Sequence, residues 1–547
     1  MKQTKKTKIL LEMRPALEGF AGIPQETRLL FRGLRMLDDF EVEGMIQTSH
    51  RILAKGTSDG GLLFAEKSLS EGRKINRYSR VVISVAERPY NTVLDRLMDY
   101  MQRRMMSTQL TLKTLLGFGK VRLSNFRAKY FEDFIWRTLF AKTLPAADYD
   151  LVSTANQRIC HTPWHSMHMA GLATLNFLPA PRYPMLSTPG VDIFIGQTPY
   201  PARVHRNTAF VVRYHDAIPV FMPHTISDKS LHQATHFYSL MSNVKSGAYF
   251  ACVSEATRQD LIRLFPDAES RSVTIHNMVS HHYHSAPASR ELVPGIIRSR
   301  LYGMDPDANG MGLTPDFLTL REQESFYARH LGSGSQRYML VVSTIEPRKN
   351  HARLMAAWEV IKADIDPEMK LVIVGTLGWD FKQMVKSFRS WIDRGDLFML
   401  NAVPAPDLRV LYQHATVTVC PSLGEGFDFS GVEAMSSGGV VVASDIPVHR
   451  EVYDDAAEYF DPYSTASLVQ AFRKVIYAED AIARQQHLRE RGQDVASRYQ
   501  PDKILPRWNQ FLEWVARDKG AAVLGRSTGA SAKPLALRDL DGAASPQ

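Results

Sequence analysis

The stretch Pro-Ser-Leu-Gly-Glu-Gly-Phe-Asp-Phe-Ser-Gly-Val-Glu-Ala-Met, residues 421–435, decides the fold of this chain. It directly follows Val417–Cys420, a short apolar run with β-branched residues that predicts a buried strand. The glycine-rich turn then enters a predicted helix, with Glu425 in the turn and Glu433 about one turn inside the helix. A strand, a glycine turn and a helix in this order are typical of a doubly wound α/β domain, in which ligands bind beyond the carboxyl ends of parallel strands.

The same turn carries groups that suit a sugar or a phosphate. The carboxylates of Glu425 and Glu433 can each accept hydrogen bonds from vicinal hydroxyls, and the exposed backbone amides of the turn can hold a sugar or phosphate. The other residues that we predict to bind the ligand are Gly426, Phe427, Asp428, Phe429 and Ser430. The alternative is a capped surface helix with two ordinary acidic residues.

A second predicted strand, Met339–Ser343, ends in a sequence that fits an anion site. Residues 344–350 are Thr-Ile-Glu-Pro-Arg-Lys-Asn, so Arg348 and Lys349 lie next to Asn350, a residue able to cap the following helix. Two cations at a helix N-terminus favour a diphosphate. A solvated basic turn is the alternative interpretation.

The likeness to a known family extends over residues 339–464. It includes Ala443–Val452, Asp455–Ala457 and Phe460–Pro462, as well as the Glu-x7-Glu spacing of the two acidic residues. This part of the chain resembles the retaining glycosyltransferases of the GT-B fold, family 4, also called glycosyl transferases group 1. The resemblance implies an α/β protein with two Rossmann-like, doubly wound domains facing a cleft. It also implies a GDP- or UDP-linked sugar as substrate, with no catalytic metal and no other cofactor.

The resemblance further implies a role for each main polar residue. Lys349 and Arg348 neutralise the donor diphosphate, Glu433 binds the ribose hydroxyls, and Glu425 binds the hydroxyls of the donor sugar. Many family members carry an arginine near the start of the Arg-Lys motif, where this chain has Thr344. We assign Thr344 to the donor site.

Two positions concern the approach of the backbone to the ligand. The family pattern usually has glycine where this chain has Asp428, because the loop backbone there approaches the sugar. The aspartate either contacts a sugar hydroxyl or points to solvent, and we expect the second arrangement. Gly375 directly follows the predicted strand Lys370–Val374, so it either permits close approach to the donor or forms a tight turn.

The first half alternates short apolar runs with longer mixed segments, which also indicates a doubly wound domain. The predicted strands are Ile9–Met13, Val81–Val85, Asp150–Ser153, Asp192–Ile195, Phe210–Tyr214, Tyr249–Val253 and Val273–His276. Helices are predicted at Gln25–Leu37 and Ser254–Leu264, the second opening with a Ser N-cap. The two remaining strands of the second half are predicted at Leu397–Leu400 and Val440–Ala443.

The predicted domain organisation has five parts. Residues 1–283 form an acceptor-side domain, 284–335 form a linker with an insertion, and 336–500 form the donor domain. A helix over 501–518 is expected to pack back on the first domain. Residues 519–547 are rich in Ala, Ser, Gly and charge and are predicted to be a disordered tail.

Two features of the first half resemble the acceptor side of the family. A loop with Gly19 and Gly22 precedes Pro24 at a predicted helix start, and the resemblance places it near the donor phosphates and the acceptor. His215 directly follows the predicted strand Phe210–Tyr214, where the resemblance implies contact with the reacting sugar. An ordinary flexible turn and a structural histidine are the alternatives.

Composition sets wider limits. A chain of 547 residues exceeds the usual size of one core, so at least two domains are expected. Its net charge of +9 accompanies no pattern typical of a nucleic-acid-binding module. The three separated cysteines indicate a reducing compartment, and no apolar run approaches the roughly 20 residues that span a bilayer. We therefore expect a cytoplasmic protein.

Residues 92–130 interleave basic and apolar side chains, which suits the anionic inner face of a membrane. A solvated helix face over a packed core is the alternative. Two histidine groups, His161–His168 and His281–His284, lack cysteines or carboxylates at metal-site spacing, so no metal site is predicted.

The predicted function is transfer of a hexose, with retention, from a nucleoside diphosphate sugar to a saccharide or lipid-linked saccharide acceptor in surface polysaccharide synthesis. The form Glu-Pro-Arg-Lys-Asn at residues 346–350 resembles mannosyl- and other hexosyltransferases, which favours mannose. The alternatives are a GT-B sugar-nucleotide epimerase or a sugar phosphorylase. A non-catalytic nucleotide-sugar-binding module is the third.

Overall fold

The computed structural model describes residues 6–20, 22–58, 65–86, 92–302, 313–332 and 336–523. Within them two sheets form, and every strand pair is parallel except β3 with β4. The first sheet has the order β10-β9-β8-β6-β1-β2-β4-β3-β5-β7. Its strands are β1 Thr7–Glu12, β2 Phe40–Ile46, β3 Lys120–Phe126, β4 Gln157–Cys160, β5 Met185–Ser187, β6 Ile193–Gly196, β7 Arg203–Val204, β8 Ala209–Tyr214, β9 Tyr249–Cys252 and β10 Ser272–Thr274.

The second sheet has the order β13-β12-β11-β14-β15-β16. Its strands are β11 Tyr338–Val342, β12 Lys370–Val374, β13 Leu397–Leu400, β14 Val417–Cys420, β15 Val441–Ser444 and β16 Ala457–Phe460. These strands are almost wholly buried because helices cover both faces of the sheet, as parallel sheets require. The predicted α/β fold class, with two doubly wound halves, is confirmed.

Helices connect the strands of both sheets. In the first half they are α1 Ile23–Arg35, α2 Glu71–Ala86, α3 Val93–Leu115, α4 Glu132–Ile135, α5 Tyr149–Ser153, α6 Trp164–Ala173, α7 Ile218–Phe221, α8 Lys229–Lys245 and α9 Glu255–Leu264. In the second half they are α10 Leu292–Ser299, α11 Leu320–Leu331, α12 His351–Asp364, α13 Lys382–Asp393, α14 Ala405–His414, α15 Phe429–Ser436, α16 Pro447–Tyr453, α17 Thr465–Phe472, α18 Ala481–Ser497 and α19 Pro501–Val523.

Two predicted strands are wrong. Val81–Val85 lies in α2, where Val81 and Val85 are buried while Ile83 is 63% exposed, so the apolar run has a helical period despite its β-branched residues. Asp150–Ser153 lies in α5, and the strand follows at Gln157–Cys160. Short apolar runs do not distinguish the two states, because burial on one side suits either.

Residues 284–335 were predicted to be a linker, but their described part forms two helices that pack into a core. Helices α10 and α11 contribute Val293, Ile297, Tyr327 and Leu331 to the core of the second sheet. Helix α19 instead belongs to the core of the first sheet. It extends to Val523, so the predicted tail over 519–547 was assigned too early a start, and residues 524–547 lie outside the described residues.

The two halves contact one another directly beside the strand ends. The carboxylate of Glu451, in α16, accepts hydrogen bonds from the backbone N–H groups of Glu255 and Ala256 at 2.6 and 2.9 Å. These are the first amides of α9, so an acidic side chain from one half satisfies the helix N-terminus of the other. On another part of the cleft, the indole Nε1 of Trp379 donates to the Thr225 carbonyl at 2.8 Å. The carboxyl edges of the two sheets therefore face each other.

Candidate active site

The loop between β14 and α15 touches the end of β8 across the cleft. Gly426 is required there because a Cβ atom on it would lie 1.9 Å from the carbonyl oxygen of His215. The hydroxyl of Thr257, in the first turn of α9, also donates to the Gly426 carbonyl at 3.4 Å. Two residues predicted from separate halves of the chain, Gly426 and His215, are thus neighbours.

The Arg348 and Lys349 side chains converge on Glu425. Arg348 NH1 donates to one carboxylate oxygen of Glu425 at 2.7 Å, and Lys349 Nζ donates to the other at 2.5 Å. Arg348 also donates to Glu346, so its guanidinium bridges two carboxylates. Burial alone raises the pKa of Glu425, but Arg348 and Lys349 outweigh burial and hold that pKa below its usual range. Glu425 is therefore an anion held between two cations.

All the residues that we predicted to bind the donor or the acceptor line two adjoining cavities of about 290 and 220 Å³. The first cavity is lined by Glu425 through Ser430, Arg348, Lys349, His215 and Gly22. The second is lined by Gly19 and Gly375. Thr344 and Glu433 line both. The arrangement brings two acidic groups, two cations and a helix N-terminus into one polar cleft, which is the chemistry that an activated sugar needs.

Glu433 lies on the inward face of α15 and meets the first half of the chain. Its carboxylate accepts hydrogen bonds from Gln25 Nε2 at 2.8 Å and from the Tyr412 hydroxyl at 3.2 Å. Burial raises the pKa of Glu433 to about 7. Gln25 belongs to α1, directly after the Gly19–Gly22 loop, so this bond joins the two halves across the cavity.

His215 offers a buried, neutral imidazole to the cavity. Burial, and then the charge of Arg213, lowers the pKa of His215 to about 3. Its Nε2 atom is buried without a hydrogen-bond partner in the described part of the chain. A neutral ring can donate or accept one hydrogen bond at that atom, so a ligand hydroxyl is a suitable partner.

The expectation that Asp428 points to solvent is wrong. Its side chain is only 7% exposed, and one carboxylate oxygen accepts from the backbone N–H and the hydroxyl of Ser430 at 3.2 and 2.6 Å. The other oxygen lies 3.1 Å from His449 Nε2. Asp428 has a φ of 58°, the left-handed conformation that glycine adopts readily. A buried histidine, which the sequence did not bring to attention, holds the aspartate inward.

Asn350 precedes α12 as predicted, but its side chain does not cap that helix. Its amide nitrogen donates instead to the carbonyls of Pro421 and Pro462 at 3.1 and 2.9 Å. Asn350 has a φ of 57°, a left-handed conformation that asparagine tolerates. It therefore connects the loops after three strands of the second sheet.

Several cavity residues escaped the sequence reasoning. They are Gln25, Lys142, Asp216, Tyr283, Glu346 and Asn401. Glu346 lies inside the motif at residues 344–350, and Asp216 directly follows His215, so adjacency alone could have indicated both. Gln25 and Lys142 carried no such signal, because their place depends on how α1 and the segment after α4 meet the opposite sheet.

Three further observations concern metal ligands, membrane-spanning helices and cysteines. Among the described residues, no group of three or more histidines, cysteines or acidic residues is placed to hold a metal ion. No helix in the described ranges combines the length and the apolar character needed to cross a membrane. Cys160, Cys252 and Cys420 are free and buried.

Comparison with known proteins adds to this geometry. Residues 323–495 match a family model described as glycosyl transferases group 1. The chain is 27% identical over 292 residues to O-antigen chain mannosyltransferase B of Escherichia coli, covering 51% of this chain and 65% of that protein. It is 29% identical over 171 residues to O-antigen chain mannosyltransferase RfbU of Salmonella typhimurium, covering 31% of this chain and 43% of that protein. The matches thus span less than two thirds of either relative.

Among solved structures, sucrose-phosphate synthase from Thermosynechococcus elongatus superposes with a TM-score of 0.50 at 12% identity. The match covers 94% of this chain and 100% of that one. A likeness at this identity bears on the fold alone, and it confirms the two facing α/β domains of the GT-B fold.

Proposed function

We propose that the chain is a glycosyltransferase of group 1 that transfers a hexose from a nucleoside diphosphate sugar to a hydroxyl of a saccharide or lipid-linked saccharide. The observation that carries this proposal is the Arg348–Glu425–Lys349 cluster facing His215 across one cavity. We favour GDP-mannose as donor, because the two relatives described above are named mannosyltransferases. By the same analogy, the product belongs to a surface polysaccharide.

The proposed reaction breaks the bond between the anomeric carbon and the diphosphate oxygen and forms a bond from the same face of that carbon to the acceptor oxygen. The proton of the acceptor hydroxyl passes to an oxygen of the departing diphosphate, which leaves as an anion. Arg348, Lys349 and the first amides of α15 stabilise the negative charge that develops on the leaving group. Because the chain itself supplies two cations there, we propose that the transfer needs no metal.

Donor binding also changes the partners of the acidic groups. A diphosphate that pairs with Arg348 and Lys349 releases Glu425 from both cations, and the freed carboxylate can then accept hydrogen bonds from the sugar hydroxyls. Glu433 is placed to accept hydrogen bonds from the ribose. His215 Nε2 is placed to meet a hydroxyl of the reacting sugar.

The test is a panel of sugar nucleotides measured by thermal stabilisation and by acceptor-dependent release of nucleoside diphosphate. A ligand of the native state raises the melting temperature, so GDP-mannose should stabilise more than UDP-glucose. Release of nucleoside diphosphate that requires a saccharide acceptor supports a transferase. Epimerised nucleotide sugar, phosphate-dependent sugar release, or binding without turnover would each overturn the proposal in favour of an epimerase, a phosphorylase or a binding module.

We also propose that α3 rests on an anionic membrane surface, where a lipid-linked acceptor is presented. The helix packs on α6 through Leu110, Thr111 and Thr114. Its outward side chains are more than half exposed, and they are Val93, Leu94, Leu97, Met98, Met101, Met105, Leu112 and Leu116. An exposed apolar stripe of this kind on an outer helix face, interrupted only at Thr108 and Gln109, marks an interaction site.

The charge beside this stripe favours a lipid surface. Arg104, Lys113, Lys120 and Arg122 are exposed near it, and basic residues flanking an exposed apolar face suit anionic headgroups. Vesicles of phosphatidylglycerol should sediment the protein, whereas phosphatidylcholine vesicles should not. Leu97→Glu with Met101→Glu should abolish sedimentation, and Ile482→Glu, which changes an exposed apolar residue on α18, should not. Equal binding to both lipids, or a protein dimer without lipid binding, contradicts the proposal.

A further inference from the structure

The hydrogen bonds of His449 fix how many protons its ring carries. His449 lies in α16 and is fully buried. Its Nδ1 atom lies 2.9 Å from the carbonyl oxygen and 3.1 Å from the hydroxyl oxygen of Ser444. That hydroxyl donates its own proton to the Ser422 carbonyl at 2.6 Å, so it can only accept from the ring. Both neighbours of Nδ1 are therefore acceptors, and Nδ1 carries a proton.

The other ring nitrogen faces a carboxylate. His449 Nε2 lies 3.1 Å from an oxygen of Asp428. Burial alone raises the pKa of Asp428, but the bond to His449 and the charge of Lys349 outweigh burial and hold that pKa well below its usual range. A carboxylate oxygen accepts hydrogen bonds, and the charge of the neighbouring Lys349 favours the ionised form of Asp428. Nε2 therefore also faces an acceptor and carries a proton.

We propose that His449 is a buried imidazolium cation whose pairing with Asp428 positions the donor loop and cancels a charge that would repel the diphosphate. His449 does not line the cavity, whereas Asp428 does. His449 is therefore a positioning residue, and it acts through the aspartate.

Helix α16 also holds the loop in place by packing. The Tyr453 hydroxyl donates to the Asp428 carbonyl at 3.2 Å, and the Tyr453 ring stacks on His449 at 4.9 Å. A side chain on Gly431 would meet the Tyr453 ring at 2.3 Å, so α15 lies directly against that ring. Together these contacts maintain the left-handed conformation of Asp428, which is unfavourable for a residue with a side chain.

The charge count explains why a cation is needed behind the loop. Five acidic residues line the cavity with two cations, Arg348 and Lys349, and they are Asp216, Glu346, Glu425, Asp428 and Glu433. A protonated His449 offsets the carboxylate of Asp428. Arg348 and Lys349 then remain available to a diphosphate, because Asp428 no longer competes for Lys349. Loss of the His449 charge should therefore weaken donor binding more than it slows the chemical step.

The proposal rests on the proposed function for its kinetic test, so a measurement without substrate is done first. In protein labelled with ¹⁵N-histidine, the ring nitrogens of His449 are assigned by comparison with His449→Gln. At neutral pH both nitrogens should show the shifts and one-bond proton couplings of an imidazolium. One unprotonated nitrogen would overturn the proposal whatever the enzyme does.

The kinetic test is a double-mutant cycle. His449→Phe keeps a ring against Tyr453 but leaves the Asp428 carboxylate buried and unpaired, which is costly. We expect the donor KM to rise about tenfold or more, with a smaller fall in kcat. Asp428→Gly removes the carboxylate and accepts the left-handed conformation, so adding it to His449→Phe should recover most of the lost donor affinity. Equal, additive losses in the two single variants would contradict the pairing.

A further variant separates charge from hydrogen bonding and guards against misfolding. His449→Gln can keep a neutral donor to Asp428, so it should fold and melt close to the original protein while its donor KM rises severalfold. An unchanged KM in a folded His449→Gln protein would show that the bond alone is sufficient and would refute the role of the charge. If GDP release fails in the original protein as well, the proposed function fails, while the NMR result still stands.

Discussion

The two edges that form the cleft prepare their polar groups in opposite ways. At the edge of the second sheet, Arg348, Lys349 and Glu425 are already paired with one another. At the edge of the first sheet, His215 has a buried Nε2 atom without a partner in the described residues. Ligand binding at the second edge thus exchanges existing ion pairs for new ones. At the first edge it adds a bond where there was none.

This difference predicts which variants should lose the most activity. A group that is paired before the ligand arrives must exchange partners, so its removal affects both charge balance and binding. Removal of a group that has no partner before binding loses only the contact between that group and the ligand. Variants at the second edge should accordingly have larger effects than variants at the first edge.

The largest effect is expected for Lys349→Ala. This change removes one of the two cations that face the leaving diphosphate and should lower kcat by about 10²–10³-fold, the range for loss of one preorganised electrostatic group. The measurement is acceptor-dependent nucleotide release, with circular dichroism to confirm folding. Lys386→Ala is the matched control, because Lys386 is exposed on α13 outside both cavities. Near-normal turnover in Lys349→Ala would contradict the expected difference between the two sheet edges.

A smaller effect is expected where the two edges touch. Gly426→Ala places a methyl group 1.9 Å from the His215 carbonyl and forces the loop away from β8. We expect a stability loss of about 1–3 kcal/mol and a fall in kcat of up to about 10²-fold through misplacement of the loop. Gly295→Ala, at a helical position with open space, is the control and should not destabilise. Chemical denaturation and steady-state kinetics measure the two effects, and an unperturbed Gly426→Ala would show that the edges do not meet.

The smallest effect is expected from the titration of Glu433. Its pKa is raised from 4.5 to about 7, so the folded protein favours the neutral acid. This contribution to stability is fully present below about pH 4.5 and is lost as the pH rises through 7. Donor affinity should change severalfold in the opposite direction, because an ionised carboxylate is the stronger acceptor for ribose hydroxyls. Glu433→Gln should abolish both pH dependences. Persistence of either one in that variant would assign it to another group.

The same contrast between the two halves explains what could be predicted from sequence. In the second half, strands and site motifs lie within a few residues of each other, so local reasoning placed Arg348, Lys349, Glu425 and Glu433 at one edge. Strand β16 was not predicted there, because Ala457–Phe460 is too short and mixed to stand out. The site residues of the second half could therefore be predicted from local sequence patterns alone.

In the first half, local reasoning failed more often. The β-branched run Val81–Val85 belongs to a helix because tertiary packing buries only one side of it. Strand β2 was not predicted because Glu41 and Glu43 interrupt its apolar run. The contact between Gln25 and Glu433 spans 408 residues. Local sequence patterns cannot predict such contacts, because they depend on how the two halves pack against each other.

The Asp428 error has a different origin. The sequence showed a charged residue where the family has glycine, and a charge usually stays in water. The partner that allows its burial, His449, lies 21 residues further on in a helix with no evident ligand role. Burial of a charge depends on such a partner, and the partner was visible only in three dimensions.

Helix α19 has a consequence for the order in which the protein matures. Its residues Ile504, Leu505, Trp508, Phe511, Leu512 and Val515 fill the same core as β1 and α1. Translation releases every strand of the first sheet long before it releases this helix. The half that leaves the ribosome first is therefore completed last, because its core lacks these apolar side chains until α19 has emerged.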